Sequence, residues 1–272
     1  MKILSIVVTY YPEKTLLERN VNAFIDDVEK VLVWENTPDH EKEQYRFLFG
    51  DKIEYCGDGI NSISKALNYG WQYAKREGYD YLLTMDQDSV FDNFKTYKKH
   101  VEEHPLIFNA IYSPLIWAEG RDTSHNTSKI VDWAITSGML IPISVLNRIG
   151  GYDERFAVDG IDIDLCLKAK RFDIPTLQFS DIILFHRFGN PIESSIAGHT
   201  KLSNNYPSSR LYSIYLSQAI LLRRYNSKSL VKNFCRAYLY KTPKNILLFE
   251  KDKAKKLALS FKGLMIGLFC KK

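Results

Sequence analysis

Two aspartates one residue apart, Asp86 and Asp88, close an apolar run of Tyr81, Leu82, Leu83 and Met85. A buried strand that runs out into Asp-x-Asp carries both carboxylates out of the core together, at the edge where open α/β sheets place their ligands. Hard cations such as Mg2+ or Mn2+ take oxygen ligands and share them with substrate phosphates. Phosphate chemistry assisted by a divalent cation is therefore the first expectation, although an isolated Asp-x-Asp is more often two solvated acids in a turn. A second acidic cluster, Asp159-Gly160-Ile161-Asp162-Ile163-Asp164, stands at the start of a helix expected over residues 163–172. An aspartate there is either an N-cap or a carboxylate that the helix dipole keeps ionised.

These groups need a scaffold. Residues 3–9 (ILSIVVT) form a continuous β-branched run, the pattern of a strand buried on both faces. Helical spacing follows over 14–28, a strand over 30–34, a helix over 41–49 and a short strand over 52–55. A helix over 62–77 stops at Gly78, and the strand 79–85 enters the Asp pair. This alternation implies a parallel sheet with right-handed crossovers. Beyond it the pattern predicts a helix over 94–103, strands near 111–116 and 129–135, a helix over 143–149, and two short strands at 176–179 and 182–185. Loops that follow parallel strands converge on one rim. The four at issue are Thr9-Tyr10-Tyr11-Pro12, Glu35-Asn36-Thr37, Gly57-Asp58-Gly59-Ile60-Asn61 and Asp86-Gln87-Asp88. The first carries no Gly-x-Gly-x-x-Gly and the chain has no Walker-type loop, which disfavours dinucleotide oxidoreductases and P-loop NTPases.

The 272 residues are 45% apolar and 25% charged, an ordinary globular composition. Four scattered cysteines without a Cys-x-x-Cys pair argue against a zinc site or a disulfide framework and fit a reducing compartment. The apolar run after Met1-Lys2 is too short for a signal peptide, and no run reaches membrane-spanning length, so a cytoplasmic protein is expected. Charge is uneven. Residues 200–272 hold 16 Lys/Arg against 2 Asp/Glu, leaving 21 against 30 in residues 1–199. An acidic body with a basic extension suggests an anionic partner for the extension.

The segments VVTYYP, VWENT, NSISKALN, MDQDS, TSGMLIP and FAVDGIDIDLCLKAKR occur in the order found in glycosyltransferase family 2, and the DQDS form resembles its rhamnosyltransferase-like branch. The resemblance covers about residues 1–190. It implies the GT-A fold, a Rossmann-like mixed sheet flanked by helices. It also implies an inverting, Mg2+- or Mn2+-dependent transfer of sugar from a nucleotide-diphosphate donor to a glycan or lipid-linked acceptor in bacterial cell-surface glycan synthesis. DQDS suggests dTDP-rhamnose, with UDP-sugars open. By the same resemblance Thr9, Tyr10, Glu35 and Asn36 contact the base, with Glu35 replacing the usual Asp. Asn61 and Lys65 lie along base and ribose. Asp88 binds the metal, with Asp86 nearer the ribose and Gln87 between them. Ser137 and Gly138 close beneath the donor sugar, and Asp162 is the catalytic base. Asp159 and Asp164 are acceptor contacts or first-turn acids. His186 aligns with a residue that touches metal or diphosphate, and Arg187 follows it. Trp133 either stacks on a sugar or belongs to the core.

The expected organisation is a catalytic domain over 1–205, its nucleotide-binding part about 1–90 and its acceptor part about 91–205, followed by a helical basic extension over 206–272. In the extension Lys228, Lys232 and Arg236 fall on one helical stripe that Ser227 caps, and Leu257, Phe261, Leu264, Met265 and Leu268 on one face with Lys255, Lys256 and Lys262 off it. Such a basic amphipathic helix suits an anionic membrane surface and peripheral attachment, or it packs on the catalytic domain. No nucleic-acid motif accompanies the charge. Two other functions share some of these features, a sugar-phosphate nucleotidyltransferase and a non-catalytic nucleotide- or sugar-binding module.

Overall fold

The computed structural model describes residues 1–38, 50–117, 128–186, 192–196, 199–203, 205–225 and 227–269. The helix expected over 41–49 and the residue Arg187 lie outside them. The chain divides into two compact units, Met1–Arg187 and Phe188–Lys272.

In the first unit, β1 (Ile3–Thr9) is buried at every residue and pairs in parallel with both β2 (Lys30–Glu35) and β4 (Tyr81–Asp86). β3 (Ile53–Cys56) extends the parallel set beyond β2. The crossovers are α1 (Lys14–Asn22) and α2 (Ile63–Arg76). Ser62 caps α2 by accepting from the Lys65 N–H, and Gly78 follows it with a φ of +69°. The helix expected over 14–28 ends at Asn22, and a 3-10 turn at Ile25–Asp27 completes the segment.

The sheet then changes direction. After β5 (Ser89–Phe91) and α3 (Phe94–Glu102) come β6 (Ile111–Ile116), β7 (Ser128–Val131), β8 (Met139–Pro142), α4 (Ile143–Ile149), α5 (Ile161–Lys170) and β9 (Thr176–His186). The strand order is β3-β2-β1-β4-β8-β6-β9-β5, with β7 also on β9. β8 runs antiparallel to β4, which makes the sheet mixed.

Three differences from the sequence reading have local causes. The two short strands expected near 176–185 are one strand, β9. Its register on β6 slips between Ser113 and Leu115, and Pro114, which has no N–H for the ladder, sits at the slip. β5 was not expected, being only three residues long and existing through its pairing with β9. α5 starts at Ile161, not 163, because Gly160 takes the capping position with a φ of +86°. Asp162 is therefore inside the first turn and is not the N-cap.

The second unit contains a strand pair, β10 (Ile192–Ile196) and β11 (His199–Ser203), and helices α6 (Ser208–Tyr225), α7 (Lys228–Phe234), α8 (Thr242–Phe249) and α9 (Lys253–Phe269). Its core is Leu211, Ile214, Tyr215 and Ile246, with Tyr238, Leu257 and Leu264 against them. Ser227 precedes α7 but makes no capping bond through its side chain. A π-helical turn at Cys235–Lys241 breaks the expected Lys228–Lys232–Arg236 stripe. Lys256, expected on the solvent side of α9, is 5% exposed and pairs with Glu250 at 2.8 Å.

α9 meets α6 through small residues. A Cβ on Gly263 would stand 2.3 Å from the Tyr212 carbonyl oxygen, and one on Gly267 would stand 2.6 Å from that of Leu216. Backbone on the facing helix cannot yield as a side-chain tip can. Gly263→Leu is expected to cost ~1–3 kcal/mol or more by overpacking. Differential scanning calorimetry checks this, and an unchanged melting temperature would contradict the close packing.

Candidate active site

The register of the parallel strands sets the rim. Thr9 pairs with Glu35 across β1 and β2, and Val8 with Asp86 across β1 and β4, so three strand ends finish level with one another. Gly57, directly after β3, has a φ of +136° and no room for a Cβ, which would run into the Glu35 carbonyl oxygen. Thr9, Glu35 and Asn36 are buried, and the Thr9 hydroxyl donates to the Trp34 carbonyl at 3.1 Å. Tyr10 is 44% exposed beside them. Asn61 is exposed, and the Lys65 ammonium is ion-paired with Asp58.

At the end of β4, one side-chain atom from each of Asp86, Asp88 and His186 lies within 4.8 Å of the others. His186 ends β9 and pairs in register with Ser89 of β5, which brings it to the Asp pair from nearly a hundred residues away. Two carboxylate oxygens and an imidazole nitrogen form a donor set that Mg2+ or Mn2+ accepts while leaving positions for phosphate oxygens. Burial holds the His186 imidazole below its ordinary range, against the pull of Asp88, and so favours the neutral ligating form.

Asp162 lies outside this trio but close enough to act on it electrostatically. Its charge is felt at Asp86, whose carboxyl is pushed up to about 7, first by burial, then by Asp88 and Asp162. Asp162 itself is pushed up to about 6. Burial is the main cause, the Ile163 N–H donating to its Oδ1 at 2.9 Å opposes it, and Asp159 adds repulsion. Burial therefore outweighs the backbone N–H groups at this position. Asp159 and Trp133 are half-buried, whereas Asp164 is 1% exposed.

The Asp86–Asp88 loop is held from several sides, in part by residues to which the sequence alone assigns no role. The Asp86 N–H donates to Ser137 Oγ at 3.0 Å, and that hydroxyl donates to Ser89 Oγ at 2.7 Å. Ser89 Oγ in turn lies 2.7 Å from His186 Nδ1. Asn20 of α1, fully buried, donates to the Asp86 carbonyl at 2.6 Å. Gln87 clamps the first loop, its carboxamide accepting from the Tyr10 N–H at 2.7 Å and donating to the Tyr10 carbonyl at 3.1 Å. Gly138, with a φ of +80°, donates to the Thr84 carbonyl at 2.7 Å. Ser89 closes the DQDS segment, but its partner His186 is 97 residues away, so sequence alone gives it no role. Asn20 is a polar residue in an otherwise apolar helix face, the one signal available.

Two predictions arise here. Asn20→Ala removes a buried bond to the Asp86–Asp88 loop and is expected to cost ~1–3 kcal/mol, read as a lower melting temperature together with weaker Mn2+ binding; unchanged values of both would contradict the bracing role. The second concerns pH. Native Asp86 keeps its proton up to about 7, whereas the unfolded side chain loses it near 3.8. The native state thus binds more protons across that window, and stability falls as pH rises through it. In EDTA, the melting temperature of the wild type relative to Asp86→Asn is expected to fall from about pH 4 to about pH 7. A difference that rises over this range would contradict the assignment.

The profile of glycosyl transferase family 2 matches residues 5–149, and the chain belongs to that family. It is a glycosyltransferase of GT-A fold. A dTDP-rhamnosyl transferase, RfbF of Shigella flexneri, is 24% identical over 75% of this chain and 78% of its own. The minor teichoic acid biosynthesis protein GgaB of Bacillus subtilis is 23% identical over 45% of this chain, which spans only 14% of GgaB. Among solved structures, GalNAc-T7 with UDP, GalNAc and Mn2+ superposes with a TM-score of 0.64 at 13% identity, over 97% of this chain and 56% of that one. TarS 1-349 of S. aureus in complex with UDP-GlcNAc gives 0.60 at 16% identity, over 98% and 82%.

Proposed function

We propose that this glycosyltransferase is inverting and metal-dependent, and that it moves a sugar from dTDP-rhamnose to a hydroxyl of a lipid-linked or polysaccharide acceptor in bacterial cell-surface glycan synthesis. The observation that carries the reading is the convergence of Asp86, Asp88 and His186 at the end of β4, with Asp162 near enough for its charge to be felt at Asp86. A candidate base stands beside a candidate diphosphate site. Asp88, Asp86 and His186 would hold Mg2+ or Mn2+, which neutralises charge on the departing diphosphate. The base and ribose lie along Thr9, Tyr10, Glu35, Asn36, Asn61 and Lys65. Gln87, Ser137 and Gly138 shape the loops around the donor sugar.

Asp162 takes the proton of the acceptor hydroxyl as that oxygen attacks the anomeric carbon. The bond from that carbon to the diphosphate oxygen breaks, and the nucleoside diphosphate leaves with the electron pair. Attack from the face opposite the leaving group inverts the anomeric configuration. Above about pH 6 the Asp162 carboxylate is ionised and ready to accept. Asp159 and Trp133 border the acceptor side, and the burial of Asp164 gives it a structural place in α5.

dTDP-rhamnose is favoured over UDP-sugars by the DQDS sequence and the similarity to RfbF. The test is product analysis with dTDP-rhamnose, UDP-glucose and UDP-N-acetylglucosamine, each with Mn2+ and without acceptor. Slow release of dTDP from the first alone is expected. Release of UDP alone would move the donor to a UDP-sugar. Pyrophosphate formed from dTTP and a sugar 1-phosphate would instead indicate a nucleotidyltransferase.

A further inference from the structure

The second unit buries the small side of α9 and leaves a large apolar side outside. Lys256, Ser260, Gly263 and Gly267 are buried, on the side that packs on α6. At 100° per residue the opposite side is centred on Phe261, Met265 and Phe269, one turn apart. These are 62%, 37% and 71% exposed. The sequence pattern put Leu257 and Leu264 on the same face as Phe261 and Met265, but both leucines pack against the unit's own core. Exposure of the other three is therefore a consequence of close helix packing through glycine. Lys255 and Lys262 flank this stripe and Lys251 lies just before the helix, all exposed.

Charge says what covers it. Residues 200–272 carry only two acids, Glu250 and Asp252. Glu250 is buried against Lys256. The outward lysines therefore face almost no acid of their own segment. In a two-fold contact a second copy would bring its own basic stripe to this one and is repelled. A bilayer with anionic headgroups offers both an apolar layer for the rings and negative charge for the lysines. No helix among the described residues is long and apolar enough to cross a membrane, which leaves attachment in the plane of the interface.

We infer that α9 lies in the interface of an anionic bilayer, with Phe261, Met265 and Phe269 inserted and Lys251, Lys255 and Lys262 among the headgroups. This surface binds lipid itself, whatever the acceptor, so it stands or falls separately from the catalytic reading.

The test is flotation of the full-length protein with vesicles of phosphatidylcholine alone and of phosphatidylcholine with phosphatidylglycerol. Binding only to the anionic vesicles is expected. The variant F261S/M265S/F269S is expected to lose binding at least about tenfold, since three apolar side chains leave the interface. It should keep its melting temperature, because none of the three belongs to the core. Replacing Lys251, Lys255 and Lys262 by Gln should weaken binding about fivefold per lysine at low salt. Absence of binding, equal binding to both vesicles, or wild-type binding by the serine variant would each overturn the inference. So would a stable dimer in sedimentation velocity that the serine variant abolishes, since a second copy would then own the face.

Discussion

Asp162→Asn is expected to lower turnover at least about 100-fold while donor affinity stays nearly unchanged, because general-base help is worth ~10²–10⁴ in rate. Asparagine keeps the shape of the side chain and its acceptor for the Ile163 N–H, so the first turn of α5 survives. What it loses is the ability to take a proton. The native carboxyl is already pushed up to about 6 by burial, so the neutral amide is no harder to bury and the variant should melt no lower than the wild type. That separates loss of chemistry from loss of fold. In the wild type the acid limb of kcat should fall below about pH 6, where the carboxylate protonates. Turnover near the wild-type level in Asp162→Asn would remove this residue as the base and return it to a structural place in the helix.

Asp88→Ala is expected to have an effect of similar size on a different quantity. It removes one of the three groups that converge within 4.8 Å, and Asp86 with His186 alone make a poor site for a hard cation. Affinity for dTDP in Mn2+ should fall about 100-fold, to the level of the wild type in EDTA, since the ion's charge is worth several kcal/mol at the diphosphate. Asp162→Asn should show no such fall. Crossed behaviour, with Asp88→Ala binding donor normally and Asp162→Asn failing to bind, would exchange the two roles. Because Asp88 also repels the Asp86 carboxylate, its removal should not destabilise the metal-free fold.

The sequence shows the parallel half of the sheet more openly than the mixed half. β1 to β4 are runs of local apolar residues, and their order follows from alternation with helices, so the rim that gathers Thr9, Glu35 and Asp86 could be drawn from sequence. The Asp pair was legible for the same reason, being the place where an apolar strand turns acidic. β5 was not, because three residues carry no period and the strand exists only through its partner β9. Ser89 and Asn20 share that fate, since each acts across a contact between distant segments. For Asp162 the sequence left two places open, N-cap or ionised carboxylate at the helix start. A left-handed glycine at position 160 admits two more residues to α5 and makes Asp162 a first-turn acid. In α9 the apolar pattern was visible, but which side packs inward was open. Glycines that allow α6 to approach outweigh the larger side chains, and a buried pair with Glu250 draws in Lys256, a residue that ordinarily stays in water.

The most direct test is a calorimetric titration of the protein with dTDP, UDP, GDP and CDP, each with Mn2+ and with EDTA. dTDP is expected to bind in Mn2+, and EDTA to abolish the binding. A folded protein that binds none of the four, or binds one equally well without the metal, would contradict a metal-bridged nucleotide-diphosphate site at Asp86, Asp88 and His186.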